Sequence, residues 1–357
     1  MSDATFKGAF RTDDEIKAFQ LALNAWFREC GKDYPWRRTT DPYAILVSEL
    51  MLQQTQIVTV LSKGYYTRWM RKFPDWRALA EAEEDDVLKA WEGLGYYNRA
   101  RNLQKTAQRV CRDFEGRFPE DLDQIRSLPG VGRYTAGALL SFAYDRRAPI
   151  VDGNVARVLS RLFAFREPID VPASNRLIWE WAELLTPERE VRIYNSAIME
   201  LGQRVCIRGV PECDSCPVRE WCRGVKEGGV GDLPLKKAKV GVTQMVESVI
   251  IRMQGHNIFL VKEQGKRRRG LWRLPEVPEE AVADQNELFR FDYAITRYRV
   301  NLRVFGSPAF LPEVGLSDEK GDWFDLKQPE KLPALGSPYL KAIKKYQNLH
   351  DDLPLNG

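Results

Sequence analysis

Residues 128–158 combine a glycine turn with a nearby acid, an arrangement suited to chemistry on a nucleotide. The sequence LPGVGRYTAGALLSF places Gly130, Val131 and Gly132 before an apolar helical segment, and Asp152 follows in PIVDGNVARV. Glycines let backbone N–H groups approach a phosphate closely, and the N-terminus of the next helix favours negative charge. Asp152 could therefore act on a bound nucleotide, although the Asp-Gly-Asn sequence is also typical of a helix N-cap.

Four of the six cysteines form a compact metal-binding pattern. Their spacing is C-x6-C-x2-C-x5-C, and they are Cys206, Cys213, Cys216 and Cys222. Four thiolates in one short loop suit a 4Fe–4S cluster or a tetrahedral Zn²⁺, and the spacing alone leaves both open. A secreted disulfide scaffold would be a shorter chain with a larger share of cysteine.

Glu49 is a candidate general acid. It lies in the helical sequence DPYAILVSELMLQQTQ, where most residues one turn away are apolar. Neighbours of that kind predict an inward-facing side chain, and a carboxyl group in an apolar pocket stays protonated near neutral pH. A proton donor needs that protonated form. From the residues alone, Glu49 could equally be an ordinary solvated glutamate on the helix surface.

Hydrophobic periodicity predicts the elements that must hold these residues. Apolar residues recur at helical spacing through the first part of the chain, over residues 13–30, 42–70, 84–94, 98–114 and 174–185. Alternating patterns predict strands within 242–253, 257–264 and 293–305, and 332–349 closes with a helical pattern. We therefore expect a helical region over 1–225, a linker at 226–241 and an α+β domain over 242–357.

Composition limits the class of protein. The chain has 357 residues, 44% of them hydrophobic and 29% charged, which is typical of a soluble protein with two domains. The formal net charge is +4, and the segment between Glu92 and Asp113 carries five basic residues and no acid, which favours an anionic partner. The start, MSDATFKGAF, has no pattern of an export or organelle signal, and no apolar run reaches the length of a membrane span. We expect a cytoplasmic protein.

Together these motifs resemble the helix-hairpin-helix DNA glycosylases related to endonuclease III, and among them the adenine DNA glycosylases (the MutY family). SELMLQQTQ at 48–56 is similar to the family motif SEVMLQQTQ, and GLWRLPEVP at 270–278 is similar to a segment of the family's C-terminal Nudix-like domain. The resemblance implies a mainly α glycosylase core, with its hairpin at about 124–145, and an α+β Nudix-like domain after it. The acidic box of Nudix hydrolases is missing, so we do not expect pyrophosphate hydrolysis.

The resemblance also implies roles for the chemical residues. Glu49 would protonate adenine at N7, and Asp152 would stabilise the oxocarbenium-like sugar, with Tyr134 and Asn154 supporting Asp152 and the water. Relatives that also cut the backbone carry a Schiff-base lysine where this chain has Tyr134, which implies a monofunctional enzyme. The cysteine spacing is the one that holds a 4Fe–4S cluster in the endonuclease III-like enzymes.

Contacts with DNA follow from the same resemblance. The implied residues are Trp36 and Arg37 in an adenine pocket, Gln54 as a wedge, Leu94 and Tyr96 in a loop that probes the base stack, and the Gly130, Val131, Gly132 turn on the backbone. Two positions depart from the family. Ser196 stands where a Gln or Glu usually contacts the adenine, and Arg297 replaces the His that usually follows Thr296 in the loop that reads 8-oxoguanine.

The expected function is monofunctional excision of adenine opposite 8-oxoguanine or guanine, in bacterial base excision repair, by a monomer bound to duplex DNA. One alternative is a related enzyme that removes thymine or uracil from mispairs with guanine, which Tyr134 does not exclude and Glu49 disfavours. Another is a non-catalytic protein that binds mispairs or senses redox state, which the intact pair Glu49 and Asp152 disfavours.

Overall fold

The computed structural model describes residues 9–238, 241–265, 268–295, 297–306 and 321–351. Two compact units are present. The first comprises Met1–Ala80 and Asn102–Ala238, and the second comprises Glu81–Arg101 and Lys239–Gly357.

Helices build the first unit and supply a few elements to the second. In chain order they are α1 (Asp13–Cys30), α2 (Pro42–Leu52), α3 (Ile57–Ser62), α4 (Tyr65–Lys72), α5 (Trp76–Ala80), α6 (Glu84–Ala90), α7 (Asn98–Asp113), α8 (Leu122–Arg126), α9 (Arg133–Tyr144), α10 (Gly153–Leu162), α11 (Pro172–Leu185), α12 (Val191–Arg204), α13 (Arg223–Glu227) and α14 (Ser337–Asp351). No helix within the described ranges combines the length and the apolar character that crossing a membrane requires.

The segment at 42–70, which the sequence predicted as one helical stretch, forms three helices. Gln54 has a φ of 58° and Gly64 a φ of 61°, both in the left-handed region. An α-helix cannot continue through such residues, so α2, α3 and α4 are separated at these two points. The first break exposes the side chain of Gln54 at the end of α2.

The core of the first unit forms where α1, α10, α11 and α12 meet. Phe19 and Leu23 of α1 pack in one buried cluster with Leu159 of α10 and Leu201 of α12. The side chain of Thr12 caps α1 by accepting from the backbone N–H of Glu15 at 3.2 Å. Burial of these side chains fixes the start of α10 beside α12, and the acid Asp152 lies at that start.

The second unit contains two sheets. Strands β1 (Thr243–Ile251), β5 (Glu287–Ile295) and β6 (Tyr298–Gly306) form one sheet in the order β1-β6-β5, with β1 parallel and β5 antiparallel to β6. Strands β2 (Met253–Gln254), β3 (Asn257–Lys262), β4 (Trp272–Arg273) and β7 (Gly321–Asp325) form the other. Tyr339 and Ile343 of α14 pack in a common core with Val249 of β1 and Leu302 of β6. This unit has the α+β character that the sequence predicted.

Residues 81–101 differ from the expected organisation, which placed them in the helical first region. The hydroxyl of Tyr97 donates to the carbonyl of Leu335 at 3.2 Å, and the backbone N–H of Leu335 donates to Glu92 at 2.9 Å. Leu335 lies in the core of the second unit. These long-range contacts join the segment to the second unit, and no local pattern in the sequence indicates them.

The first part of the expected linker at 226–241 belongs to the first unit. Leu233 is buried, and its carbonyl accepts from the Arg161 guanidinium at 2.9 Å. The backbone N–H of Lys237 donates to Asp170 at 3.0 Å. The Gly- and Lys-rich composition predicted a linker, and the side chains of Arg161 and Asp170 bind its backbone at these two points.

Candidate active site

Glu49 lies on α2, a helix that is buried almost along its whole length. The carboxylate of Asp41 accepts from the backbone N–H of Tyr43 at 3.0 Å and caps the helix, and Pro42 occupies its first position. The helix carries apolar residues on all its faces, so it packs inside the unit rather than on its surface. Only 7% of Glu49 is exposed, which agrees with the inward-facing side chain that the sequence predicted.

Burial controls the protonation of Glu49. The pKa of this carboxyl group is raised to about 7, chiefly by burial and also by the nearby charge of Asp152, although the hydrogen bond from Tyr134 opposes the rise. The Tyr134 hydroxyl donates to Glu49 Oε2 at 2.7 Å. The resemblance implied that Tyr134 supports Asp152. In the structure its hydroxyl binds Glu49 instead. Burial also raises the pKa of Tyr134 well above its usual value, so the phenol remains a donor.

Asp152 is the N-cap of α10. Its Oδ1 accepts from the backbone N–H groups of Asn154 at 2.9 Å and Val155 at 2.7 Å, and its Oδ2 accepts from the Asn154 side chain at 2.9 Å. Burial raises the pKa of Asp152, and these hydrogen bonds oppose that rise. Donors at both oxygens favour the ionised carboxylate. The helix cap and the chemical role are compatible in one side chain.

A buried arginine connects Asp152 to the cysteine loop. Arg157 donates to the side-chain oxygen of Asn154 at 2.9 Å and to the carbonyl of Cys206 at 2.8 Å. The sequence analysis did not single out Arg157. Its position one turn after Asn154 on α10 was the available signal, because residues at that spacing share a helix face.

Both acids line one cleft. The cleft has a volume of about 940 Å³, and Glu49, Tyr134, Asp152 and Asn154 lie in its wall. Gln54 also lines it, with its exposed side chain beyond the end of α2. The structure thus brings together, in one cleft, predicted site residues that lie far apart in the sequence.

A smaller pocket of about 50 Å³ is also lined by Glu49. Trp36, Arg37 and Ser196 line this pocket as well. The ring of Trp36 stacks on Tyr34 with centroids 5.4 Å apart. Trp36 is buried, so it serves both the packing of the unit and the wall of the pocket.

Glu200 positions Arg37, and sequence reasoning did not identify it. This fully buried carboxylate pairs with Arg37 and with Arg204, the latter at 2.8 Å, and accepts from the backbone N–H of Lys32 at 2.9 Å. A buried charge needs such partners because desolvation is otherwise costly. The Glu200 and Arg204 pair at helical spacing was a visible signal.

The glycine turn joins α8 and α9 as a helical hairpin that spans 122–144, where about 124–145 was predicted. Gly130 has a φ of 75°, and a Cβ atom there would lie 2.7 Å from the side chain of Asn102. Gly132 is the N-cap of α9 and is exposed, whereas Val131 is buried. Backbone geometry therefore requires glycine at position 130, and Gly132 is open to solvent. None of the three residues lines the cleft within the described part of the chain.

Four predicted DNA-contacting residues belong to the second unit. Leu94 is only 6% exposed, while Tyr96 is 54% exposed with a φ of 48° and lies under the Arg99 guanidinium. Tyr96 alone of this pair therefore presents its side chain to solvent. Arg297 is exposed and donates to the Tyr298 hydroxyl at 3.1 Å, and Thr296 lies outside the described residues.

The four cysteines influence one another. The pKa of Cys216 is raised to about 12, chiefly by burial and also by the charges of Cys206, Cys222 and Cys213. Arg161, only 1% exposed, lies with its guanidinium 3.4 Å from the sulfur of Cys206. Across the ranges that the structure covers, no group of His, Cys, Asp and Glu side chains converges as the ligands of a single metal ion do.

Comparison with known proteins identifies the family. Residues 47–184 match the HhH-GPD superfamily of base excision DNA repair proteins. The adenine DNA glycosylase of Buchnera aphidicola subsp. Baizongia pistaciae is 30% identical over 357 residues, covering 93% of this chain and 98% of that protein. The adenine DNA glycosylase of Rattus norvegicus is 42% identical over 229 residues, covering 61% of this chain and 44% of that protein.

Solved structures share the fold of the helical region. A thermostable thymine-DNA glycosylase matches with a TM-score of 0.54 and 28% identity, over 60% of this chain and 99% of that one. Endonuclease III in a non-covalent complex with DNA matches with a TM-score of 0.50 and 25% identity, over 61% of this chain and 98% of that one. The chain therefore belongs to the adenine DNA glycosylase (MutY) family within the helix-hairpin-helix superfamily, and it is a DNA-binding glycosylase of base excision repair.

Proposed function

We propose that this glycosylase removes adenine paired with 8-oxoguanine or guanine, working as a monomer in the bacterial cytoplasm. The observation that carries the proposal is the buried carboxyl group of Glu49, with a pKa of about 7, in the same cleft as Asp152. Adenine is a poor leaving group until it is protonated, so a carboxyl group that keeps its proton near neutral pH is the chemical requirement.

The proposed reaction uses the two acids in opposite protonation states. Glu49 donates its proton to N7 of the extruded adenine, and the bond between C1′ and N9 breaks with its electrons moving to the base. The ionised Asp152 stabilises the positive charge that develops on the sugar. Water then adds to C1′, and its proton returns to the Glu49 carboxylate, which restores the starting acid.

A duplex cleavage assay with alkali tests the proposal. Duplexes with A·8-oxoguanine, A·G, T·G and U·G pairs are incubated with the protein, and abasic sites are revealed as strand breaks. We expect breaks at the adenine strand of the first two duplexes. Cleavage confined to the T·G and U·G duplexes would contradict the proposal.

Removal of thymine or uracil is the second candidate, because one matching structure is a thymine-DNA glycosylase. That match covers 60% of this chain. The full-length match to an adenine DNA glycosylase includes the second unit as well. Buried Glu49 also favours adenine, since a purine offers N7 for protonation and a pyrimidine has no such atom.

Strand cleavage by the enzyme itself should be absent. A lyase needs an amine at the site to form a Schiff base, and Tyr134 supplies a phenol there. We expect borohydride to trap little covalent complex with DNA, and strands to break only after alkali or heat. A Tyr134→Lys variant introduces an amine at the site and should give weak trapping, more than the unaltered protein gives. Strong trapping by the unaltered protein would overturn this assignment.

We also propose a 4Fe–4S cluster on Cys206, Cys213, Cys216 and Cys222. The donor set is four soft thiols in one loop, and a cubane takes one thiolate on each iron, so its ligands need not converge on a point as those of Zn²⁺ do. The cluster would hold the loop after α12 in place and supply no step of the reaction. Arg208, a residue of this loop that lines the cleft, would then face the DNA backbone.

The cluster predicts a metal content and a colour. Protein purified without oxygen should contain about four iron atoms per chain and absorb broadly near about 400 nm. A Cys213→Ser variant should lose both the iron and the absorbance. Stoichiometric zinc without iron in the unaltered protein would contradict the assignment.

We propose that Thr296 and Arg297 recognise 8-oxoguanine. Arg297 is exposed and retains donors that its contact with Tyr298 does not occupy. We expect Arg297→Ala to weaken binding of the A·8-oxoguanine duplex by about 1–3 kcal/mol and to spare the A·G duplex. Arg290→Ala, which removes an exposed arginine of the same sheet, is the control. Equal weakening on both duplexes, with a smaller salt dependence, would show a phosphate contact instead.

A further inference from the structure

Gln203 occupies the junction between the large cleft and the small pocket. It lines both cavities, as do Glu49 and Met199. Gln203 lies seven residues after Ser196 on α12, so the two side chains share one face of the helix. A base held against Glu49 at this junction would therefore lie beside the carboxamide of Gln203.

The carboxamide of Gln203 is free to bind a ligand. It makes no hydrogen bond to any residue in the described ranges, and it is half-buried. Two other polar groups of the pocket are engaged: the Arg37 guanidinium pairs with Glu200, and the Ser48 hydroxyl donates to the carbonyl of Ile45 at 2.8 Å. Gln203 thus offers a hydrogen-bond donor and an acceptor side by side, whereas the rest of the pocket wall offers few unpaired polar groups.

Adenine presents a matching pair of atoms. Its N6 amino group donates and its N1 accepts, side by side on the Watson–Crick edge, while N7 lies on the opposite side of N6. A carboxamide pairs with a donor and an acceptor arranged in this way through two hydrogen bonds. With N7 engaged by Glu49, the Watson–Crick edge is the part of the base that remains for a second polar side chain.

We propose that Gln203 determines specificity by reading the Watson–Crick edge of the extruded adenine, its Oε1 accepting from N6 and its Nε2 donating to N1. This inference rests on adenine excision as proposed above. Ser196 carries a shorter side chain with one hydroxyl group, so it cannot make this bidentate contact. The carboxamide two turns further along α12 makes the contact in its place.

The experiment compares adenine with unsubstituted purine, which keeps N1 and N7 but lacks the 6-amino group. Each base is placed opposite 8-oxoguanine, and single-turnover excision rates are measured for the unaltered protein, Gln203→Ala and Gln203→Glu. Gln108→Ala, which removes an exposed carboxamide from α7, is the control. Duplex affinity and melting temperature are measured for every variant.

We expect Gln203→Ala to slow adenine excision by about 10- to 100-fold, with a clearly smaller loss on purine, because the N6 contact exists only for adenine. Gln203→Glu keeps an acceptor for N6 and should retain more of the preference for adenine over purine than Gln203→Ala does. Equal losses on the two bases, or no loss on either, would overturn the role of Gln203. If the unaltered protein releases no adenine, the proposed function itself is wrong. That result differs from one in which only the role of Gln203 is wrong.

Discussion

A Glu49→Gln variant will bind duplex DNA with nearly unchanged affinity and release adenine at least about a hundredfold more slowly than the unaltered enzyme. The substitution preserves the size of the side chain and its place against Tyr134, but it removes the proton that N7 must receive. Single-turnover release of adenine from an A·8-oxoguanine duplex measures the loss, and a gel-shift assay on the same duplex measures affinity.

The control for this variant is an acid outside the cleft. Glu188 is exposed and pairs with Arg147, so Glu188→Gln makes the same chemical change without touching the cleft. It should leave the rate of adenine release unaltered. If Glu49→Gln retained a rate within about threefold of the unaltered enzyme, proton donation by Glu49 would be wrong, since general acids contribute about 10²–10⁴-fold.

Asp152→Asn should reduce the rate of adenine release by about 10²–10³-fold, because a neutral amide cannot stabilise a developing positive charge. Asparagine is a good N-cap, so it can still accept from the backbone N–H groups at the start of α10. The melting temperature should therefore change little. Release rates under single-turnover conditions, with melting curves beside them, separate a chemical loss from a loss of stability.

Asp152→Ala distinguishes the two roles of this residue. Removing the cap should lower the stability of the fold by about 1 kcal/mol, while Asp152→Asn should not. Both variants should lose the chemical step. Near-normal adenine release by Asp152→Asn would mean that Asp152 is a helix cap and nothing more.

Much of this site could be predicted from local sequence. The apolar neighbours of Glu49 indicated burial, and the structure leaves that residue 7% exposed. The glycine turn before an apolar segment indicated the start of α9, and the Asp-Gly-Asn sequence indicated the cap on α10. These features depend on periodicity, caps and turns, which act over a few residues and are therefore readable in the chain.

Contacts across the fold could not be predicted. The hydrogen bond of Tyr134 to Glu49 joins residues 85 positions apart, and the Arg37 pair with Glu200 spans 163 positions. Such pairs depend on how helices pack, which no single-sequence pattern specifies. The same reason explains why residues 81–101, read as part of the helical region, group with the second unit.

The measurement that tests the central claim most directly is the pH dependence of kcat/KM for adenine release by the unaltered enzyme, since this quantity reports the ionisation of the free protein. Glu49, with a pKa of about 7, carries its proton below that pH and loses it above. The account predicts a rate that falls about tenfold per pH unit above neutrality, and a Glu49→Gln variant whose residual rate lacks this fall. A rate that stays constant or rises through the same range would contradict the assignment of Glu49 as the acid that protonates adenine.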